Sequence, residues 1–225
     1  MEALHYYQYE VDIESFIESF SEDARFIVHE QLADFVCSEL DTEVFADDTL
    51  VDIASGPGIS LMCFLKRLGM KKGFAIDGSA QMINYLNRTK MDEYEINSAI
   101  CNVLSEALPV PDSSTKIATC LLSVGYLSSI GNLFSEASRI LKPEGYFIAD
   151  LISYKQQEWG QQPQVCENVN GIVNMYYYAD KYVRELAEEH SLEIYAEHSS
   201  TWEKSELCLW MQCTHDLMIF RKKKK

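Results

Sequence analysis

Leu50-Val51-Asp52-Ile53-Ala54-Ser55-Gly56-Pro57-Gly58 decides how this sequence is read. An apolar strand over 49–54 runs into a turn of small residues, and a helix follows over 58–68. A glycine-rich turn between strand and helix brings backbone N–H groups close to a ligand. Three ligand classes use such a turn. A phosphate-binding loop requires Gly-Lys-Ser/Thr, and none follows. A dinucleotide site places a small residue three positions after the second glycine, where this chain has Leu61. Asp52, inside the strand, is also badly placed beside a pyrophosphate, whereas an acid there suits a cation. S-adenosylmethionine carries a sulfonium and an ammonium and no phosphate, so it needs no arginine or lysine clamp. The loop favours that ligand over NAD or ATP.

Working outward, short apolar strands alternate with amphipathic helices. The pattern predicts strands over 49–54, 72–77, 95–101, 116–122 and 145–152, with helices over 58–68, 79–90 and 130–141. Alternation of this kind specifies an α/β fold with a parallel sheet and crossover helices on both faces. Leu133, Phe134, Ala137, Ile140 and Leu141 form one apolar stripe, and Lys142-Pro143-Glu144-Gly145 turns the chain into the next strand. Beyond Leu151 the chain reads as irregular and polar to about 175. A helix over 177–190 follows, and 192–202 with 207–220 read as an antiparallel pair at the sheet edge. Before the sheet, two helical patterns run through Val11–Phe20 and Ile27–Leu40, with Ser21 or Asp23 as an N-cap for the second.

A second acid ends the second strand in Phe74-Ala75-Ile76-Asp77-Gly78-Ser79-Ala80-Gln81-Met82. It lies 19 residues after Gly58, where a strand tip reaches a ribose. A carboxylate there accepts both ribose hydroxyls in charge-assisted hydrogen bonds, each worth about 1.5–3 kcal/mol when shielded. At the third strand's end, Cys101-Asn102-Val103 offers a side-chain amide and a backbone N–H to an adenine edge.

These residues, with Leu108-Pro109-Val110-Pro111-Asp112-Ser113 and Arg139-Ile140-Leu141-Lys142-Pro143-Glu144-Gly145-Tyr146-Phe147-Ile148-Ala149-Asp150, resemble the class I S-adenosylmethionine-dependent methyltransferases. The resemblance covers about 50 to 150, and the terminal strand pair extends it. It implies a Rossmann-like three-layer sandwich whose seven-stranded, mostly parallel sheet has order 3-2-1-4-5-7-6 with the seventh strand antiparallel. It implies cofactor contacts at Asp52, Ala54, Gly56, Gly58, Asp77, Gly78, Met82, Asn102, Val103 and Ser123. The expected cofactor is S-adenosyl-L-methionine, released as S-adenosyl-L-homocysteine. The chain departs from the family pattern at Ala54, where the first loop glycine stands, at Asn102, the family's adenine-edge acid, and at Lys116, where an acid commonly opens the fourth strand. The implied organisation is a helical cap over 1–48 and a cofactor-binding domain over 49–225, with a substrate-wall insertion near 152–175.

Charge and cysteines narrow the setting. The chain has 35 acidic and 19 basic residues, a formal charge of −16. Five of the basic residues are Arg221 to Lys225, which leaves −21 on the preceding 220 residues. Such a body repels a phosphate backbone, which disfavours nucleic acid as substrate. The basic end reads either as a solubilising terminus or as a contact for an anionic partner. The seven cysteines form no C-x-x-C pair and no zinc spacing, so no metal site is expected, and they fit a reducing cytoplasm. The start has no signal-peptide pattern, and no apolar run is long enough to span a membrane.

Methyl transfer is an in-line displacement for which collinear alignment and exclusion of water supply much of the rate, as much as ~7–11 kcal/mol. A general base depends on the acceptor. His5 and Tyr126 are the catalytic candidates, with Tyr6, Tyr7, Ser123 and Tyr154 near the expected mouth. The alternative for His5, and the favoured one, is a solvated terminal histidine, and His29, His190, His198 and His215 read as surface or packing residues. Tyr176-Tyr177-Tyr178 could cage a cationic acceptor or pack at a helix start. No Asn/Asp-Pro-Pro-Tyr follows the fourth strand, which argues against methylation of DNA amino groups. The expected activity is methylation of a small molecule. A non-catalytic S-adenosylmethionine-binding module is the alternative, and an NAD-dependent oxidoreductase is disfavoured by Leu61 and Asp52. Sequence alone leaves the acceptor, the methylated atom and the oligomeric state open.

Overall fold

A computed structural model describes residues 24–153, 163–168, 171–176, 178–202 and 213–224. Their order is α1 (Ala24–Glu39), a 3-10 turn (Thr42–Phe45), β1 (Thr49–Ile53), α2 (Ile59–Arg67), β2 (Lys72–Asp77), α3 (Ala80–Thr89), β3 (Glu95–Ile100) and β4 (Thr115–Cys120). A second 3-10 turn (Val124–Tyr126), α4 (Gly131–Ile140), β5 (Leu141–Ser153), β6 (Pro163–Asn168), β7 (Gly171–Tyr176), α5 (Asp180–Glu189), β8 (Leu192–Trp202) and β9 (Cys213–Lys222) complete it.

Seven strands form one sheet in the order β3-β2-β1-β4-β5-β9-β8. Numbered within the sheet, this is the expected 3-2-1-4-5-7-6. β1 through β5 pair in parallel, and β9 runs antiparallel to both β5 and β8. Strand alternation divides the apolar side chains between two layers. Leu217 and Ile219 join Leu50, Ile117 and Ile148 against Leu32, Val36, Phe64 and Leu86 of α1 to α3. Met218 and Phe220 join Val51, Ile53 and Phe147 against Phe134, Ile140, Val183 and Leu186 of α4 and α5. Phe134 meets Phe147 and Phe220 edge-on, with ring centroids 5.5 and 5.2 Å apart.

Three features differ from the sequence expectations. The segment read as irregular contains a hairpin, in which β6 and β7 pair antiparallel from Pro163↔Tyr176 to Asn168↔Gly171. β5 begins at Leu141, paired with Thr115, before the Lys142–Gly145 turn and across a register shift. The basic end is part of the fold, because Arg221 and Lys222 close β9. Arg221 pairs with Glu193 at 2.5 Å, Lys223 with Glu188 and Lys224 with Glu144. All three pairs lie where β8 and β9 meet the amino-terminal edge of the sheet. The Val11–Phe20 helix and the Ser21 and Asp23 caps lie outside the described residues.

Candidate active site

The site forms at the carboxyl ends of β1, β2, β3 and β4. Asp52 sits one residue before the end of β1, opposite Thr119 in the ladder, and is 0% exposed. Thr119 Oγ1 donates to Asp52 Oδ1 at 2.7 Å, but Oδ2 has no partner. Ser55 is buried too, and its Oγ also has none; these are the two such buried side-chain atoms among the described residues. A buried polar atom without a partner is costly, so both mark a place for a polar ligand. Burial pushes the Asp52 carboxyl up to about 7, the Thr119 hydrogen bond opposes this, and the neighbouring Asp77 charge adds to it.

From Asp52 the loop folds back sharply. Ala54, Gly56 and Gly58 have φ of 56°, 54° and 85°, all in the left-handed region. Gly58 also has no room for a side chain, since a Cβ there would lie 2.5 Å from Leu86 Cδ1. Asp77 ties this loop to the next strand. Its Oδ2 accepts from Gly56 N at 2.8 Å and its Oδ1 from Ser79 N at 2.7 Å, while Ser79 Oγ accepts from Met82 N and caps α3. Each carboxylate oxygen keeps a second lone pair. Burial raises the Asp77 carboxyl pKa and the two N–H donors restrain it. Gly78 lies in the turn, half-buried, and Met82 is buried in the first turn of α3.

At the end of β3, the Asn102 side chain folds its own loop. Oδ1 accepts from Leu104 N at 3.0 Å, Nδ2 donates to Ser105 Oγ at 3.1 Å, and the Asn102 N–H is taken by Glu106 Oε2 at 2.7 Å. α4 holds this loop from below. Asn132 Nδ2 donates to Val103 O at 2.7 Å and Glu106 O at 3.0 Å. Glu136 Oε2 accepts from Leu108 N at 2.6 Å, and Arg139 donates to Leu108 O, Val110 O, Glu136 and Asp112. The Arg139 guanidinium holds the Glu136 carboxyl below its usual range.

After β4, Tyr126 ends the 3-10 turn and is half-buried. Ser123 sits one residue before that turn, its hydroxyl directed to Ala54 O at 2.9 Å and Leu121 O at 3.1 Å. The β6–β7 hairpin packs beside the same turn. Tyr178 is buried, stacks on Tyr182 and donates its hydroxyl to Leu127 O, so it packs and does not form an open cage. His5, Tyr6, Tyr7, Tyr154 and Tyr177 lie outside the described residues.

The structure adds Ser55 and Thr119 to the residues chosen from sequence. Asp150 is 1% exposed near the end of β5. Thr119 gave no local signal, because strand register alone brings it opposite Asp52. His29 is buried as well, with Nδ1 2.9 Å from Ser60 Oγ in the first turn of α2. Among the described residues no group of three or more His, Cys, Asp or Glu is arranged to hold a metal ion, and no helix is long and apolar enough to cross a membrane.

Comparison with known proteins agrees with this geometry. Residues 51–149 match the family described as "Methyltransferase domain". Malonyl-[acyl-carrier protein] O-methyltransferase of Marinomonas sp. (strain MWYL1) is 26% identical over 127 residues, which are 56% of this chain and 44% of that protein. An uncharacterized methyltransferase of Bacillus subtilis (strain 168) is 24% identical over 106 residues, 47% of this chain and 41% of that protein. The chain thus spans less than half the length of the curated relatives it matches. An S-adenosylmethionine-dependent methyltransferase from Clostridium acetobutylicum ATCC 824 superposes with a TM-score of 0.70 at 15% identity, covering 94% of this chain and 99% of that one. The fold is that of the class I S-adenosylmethionine-dependent methyltransferases.

Proposed function

We propose that this chain, which carries a methyltransferase domain over residues 51–149 on the class I fold, binds S-adenosylmethionine and methylates a small-molecule acceptor. The observation that carries this reading is the pair of buried, unpartnered oxygens, Asp52 Oδ2 and Ser55 Oγ, beside a loop bent by Ala54, Gly56 and Gly58. An acceptor-only oxygen with no donor in a dry site fits the cationic end of the cofactor.

Asp52 and Ser55 would hold the amino-acid end, Asp77 the ribose, and Asn102 with Val103 the adenine edge. Gly78 and Met82 would flank the base. When bound, the cofactor supplies a methyl group on a cationic sulfur that leaves readily. The chain aligns the acceptor and keeps water out. The turn at Val124–Tyr126, the β6–β7 hairpin and the N-terminal segment 1–48 would wall the acceptor space, with Tyr126 and His5 as the proton-handling candidates. The acidic body disfavours nucleic acid as the acceptor. The cytoplasm is the proposed location, from the cysteine pattern.

Calorimetric titration with S-adenosylhomocysteine and with S-adenosylmethionine tests the assignment. Asp77→Ala is expected to weaken binding by about one to two orders of magnitude, from loss of charge-assisted hydrogen bonds. A protein that ignored both compounds and held NAD or ATP would overturn it. Binding without methylation of any metabolite would favour a regulatory module.

A further inference from the structure

Thr119 of β4 is a polar residue that packing of the sheet does not require. Ile117, Thr119 and Leu121 alternate onto one face, where Ile117 and Leu121 belong to the apolar layer beneath α1 to α3. Thr119, 1% exposed, stands between them. Valine has the same β-branched outline and the same preference for a strand, and it carries no hydroxyl to satisfy. The hydroxyl of Thr119 serves Asp52 instead. Its Oγ1 lies 2.7 Å from Asp52 Oδ1, across the β1–β4 register that sets the two residues side by side.

That bond makes the two carboxylate oxygens unequal. An ionised carboxylate only accepts, so the hydroxyl donates to Oδ1, while Oδ2 has no donor. With Oδ1 held, the Asp52 side chain is restrained, and a ligand N–H meets an oxygen in a fixed place. The bond also opposes burial. Desolvation pushes the Asp52 carboxyl up to about 7, and the Thr119 hydroxyl pulls it down. Around the pair stand Asp77 of β2, which adds to the rise, Cys120 of β4, a thiol that burial keeps protonated, and Asp150 of β5 beyond it. The helical layer on the same face brings His29 of α1, whose Nδ1 lies 2.9 Å from Ser60 Oγ of α2. Of the interactions that set the charge of Asp52, the Thr119 hydroxyl is the one that favours ionisation.

We infer that Thr119 is a positioning residue of the cofactor site, whose hydroxyl holds one oxygen of Asp52 so that the other receives the cationic end of the ligand. This deepens the function proposed above and rests on Asp52 meeting that end. Thr119 acts through Asp52 and not on the methyl group. Without its hydroxyl the buried carboxyl would keep its proton at neutral pH and lose the charge that draws the ligand.

Calorimetric titration of the full chain with S-adenosylmethionine between about pH 5.5 and 8.5 tests this. The ligand's own ammonium titrates alike against every variant, so the difference between proteins is what is read. Affinity of the unaltered protein is expected to rise through about pH 7. Thr119→Val should move that rise upward by about one pH unit and weaken binding at about pH 7 roughly fivefold. Thr119→Ser, which keeps the donor, should return the rise to its original place. In an Asp52→Asn background, Thr119→Val should change affinity by less than about twofold. Loss of strand packing alone would lower the melting temperature and leave the position of the rise unaltered. A Thr119→Val protein with its rise unmoved, a Thr119→Ser protein that fails to restore it, or an equal effect of Thr119→Val in the Asp52→Asn background would each overturn the inference. If Thr119→Val does not fold, Thr119→Cys, of similar bulk and a weaker donor, is read instead. An upward shift then supports the inference and no shift overturns it. Binding that Asp52→Asn leaves unchanged would remove the Asp52 assignment and this inference with it. Failure of the unaltered protein to bind S-adenosylmethionine at all would instead remove the methyltransferase reading beneath both.

Discussion

The hydroxyl of Ser123 sits 2.9 Å from the carbonyl oxygen of Ala54 and so fastens the turn after β4 to the loop after β1. A strained residue lies at or beside each end of this clasp. Ala54 has φ of 56°, and Leu122, beside Ser123, has φ of 55°. The left-handed conformation costs a non-glycine residue about 1–2 kcal/mol, and surrounding structure must hold it. One hydroxyl thereby links the segment proposed to face the cofactor with the one proposed to face the acceptor.

Ser123→Ala removes that link and leaves the Ala54 carbonyl without its donor. It is expected to lower stability by about 1 kcal/mol, which in a chain of this size shifts the melting temperature by roughly 2–4 °C. Cofactor affinity and turnover should both fall, and Ser123→Thr, which keeps the hydroxyl, should restore them. A Ser123→Ala protein with unaltered binding and turnover would show that the clasp positions nothing.

Ala54→Gly relieves strain at the same place. Removing the Cβ at positive φ should offset the greater chain entropy of glycine and raise stability by up to about 1 kcal/mol, read from denaturant midpoints. A lowered midpoint would mean that the alanine methyl makes a packing contact worth more than the strain.

Gly58→Ala acts in the opposite sense. The new Cβ would fall 2.5 Å from Leu86 Cδ1, at a φ of 85°, so steric overlap and backbone strain combine. A loss of about 2–3 kcal/mol is expected, together with weaker cofactor binding. Adding Leu86→Ala should remove the overlap without restoring wild-type stability, because φ stays positive and a cavity opens.

Asp52 gives the site a pH dependence of defined sign. Its carboxyl titrates at about 7 in the folded protein, against about 3.9 in an unfolded chain. Between these values the folded state holds the extra proton, so the stability of the ligand-free protein falls as pH rises from about 4 to 7 and is level above. Cofactor binding should run the other way, strengthening as pH rises through about 7, because a cation prefers the ionised carboxylate. Calorimetry with S-adenosylmethionine between about pH 6 and 8 should show this slope, and Asp52→Asn should flatten it. An equal slope in both proteins would assign the titration elsewhere.

Much of this site was legible in the linear order of residues. Asp52, Ala54, Gly56 and Gly58 lie within one turn, and Asp77 follows Gly56 by 21 positions yet bonds it directly, because adjacent parallel strands end at the same edge. Local spacing also marked the helices, whose ends fall within three residues of the predicted ones from α2 to α5. The hairpin at 163–176 was not legible, since it is held by ladder pairing between two segments that carry no clean alternation. The basic end was misread for a similar reason. Lys223 and Lys224 find Glu188 and Glu144 only once β9 has inserted between β5 and β8.

The order of strands, the glycine turn and the two strand-end acids were determined by the sequence itself, because apolar period and turn chemistry are short-range properties written in neighbouring residues. Tertiary structure decided which polar atoms are left without partners. Thr119 reaches Asp52 across 67 residues and Ser123 reaches Ala54 across 69. Burial, which fixes the charge state of Asp52 and leaves Oδ2 without a donor, belongs to the packed sheet and its two helical layers and to no single stretch of chain.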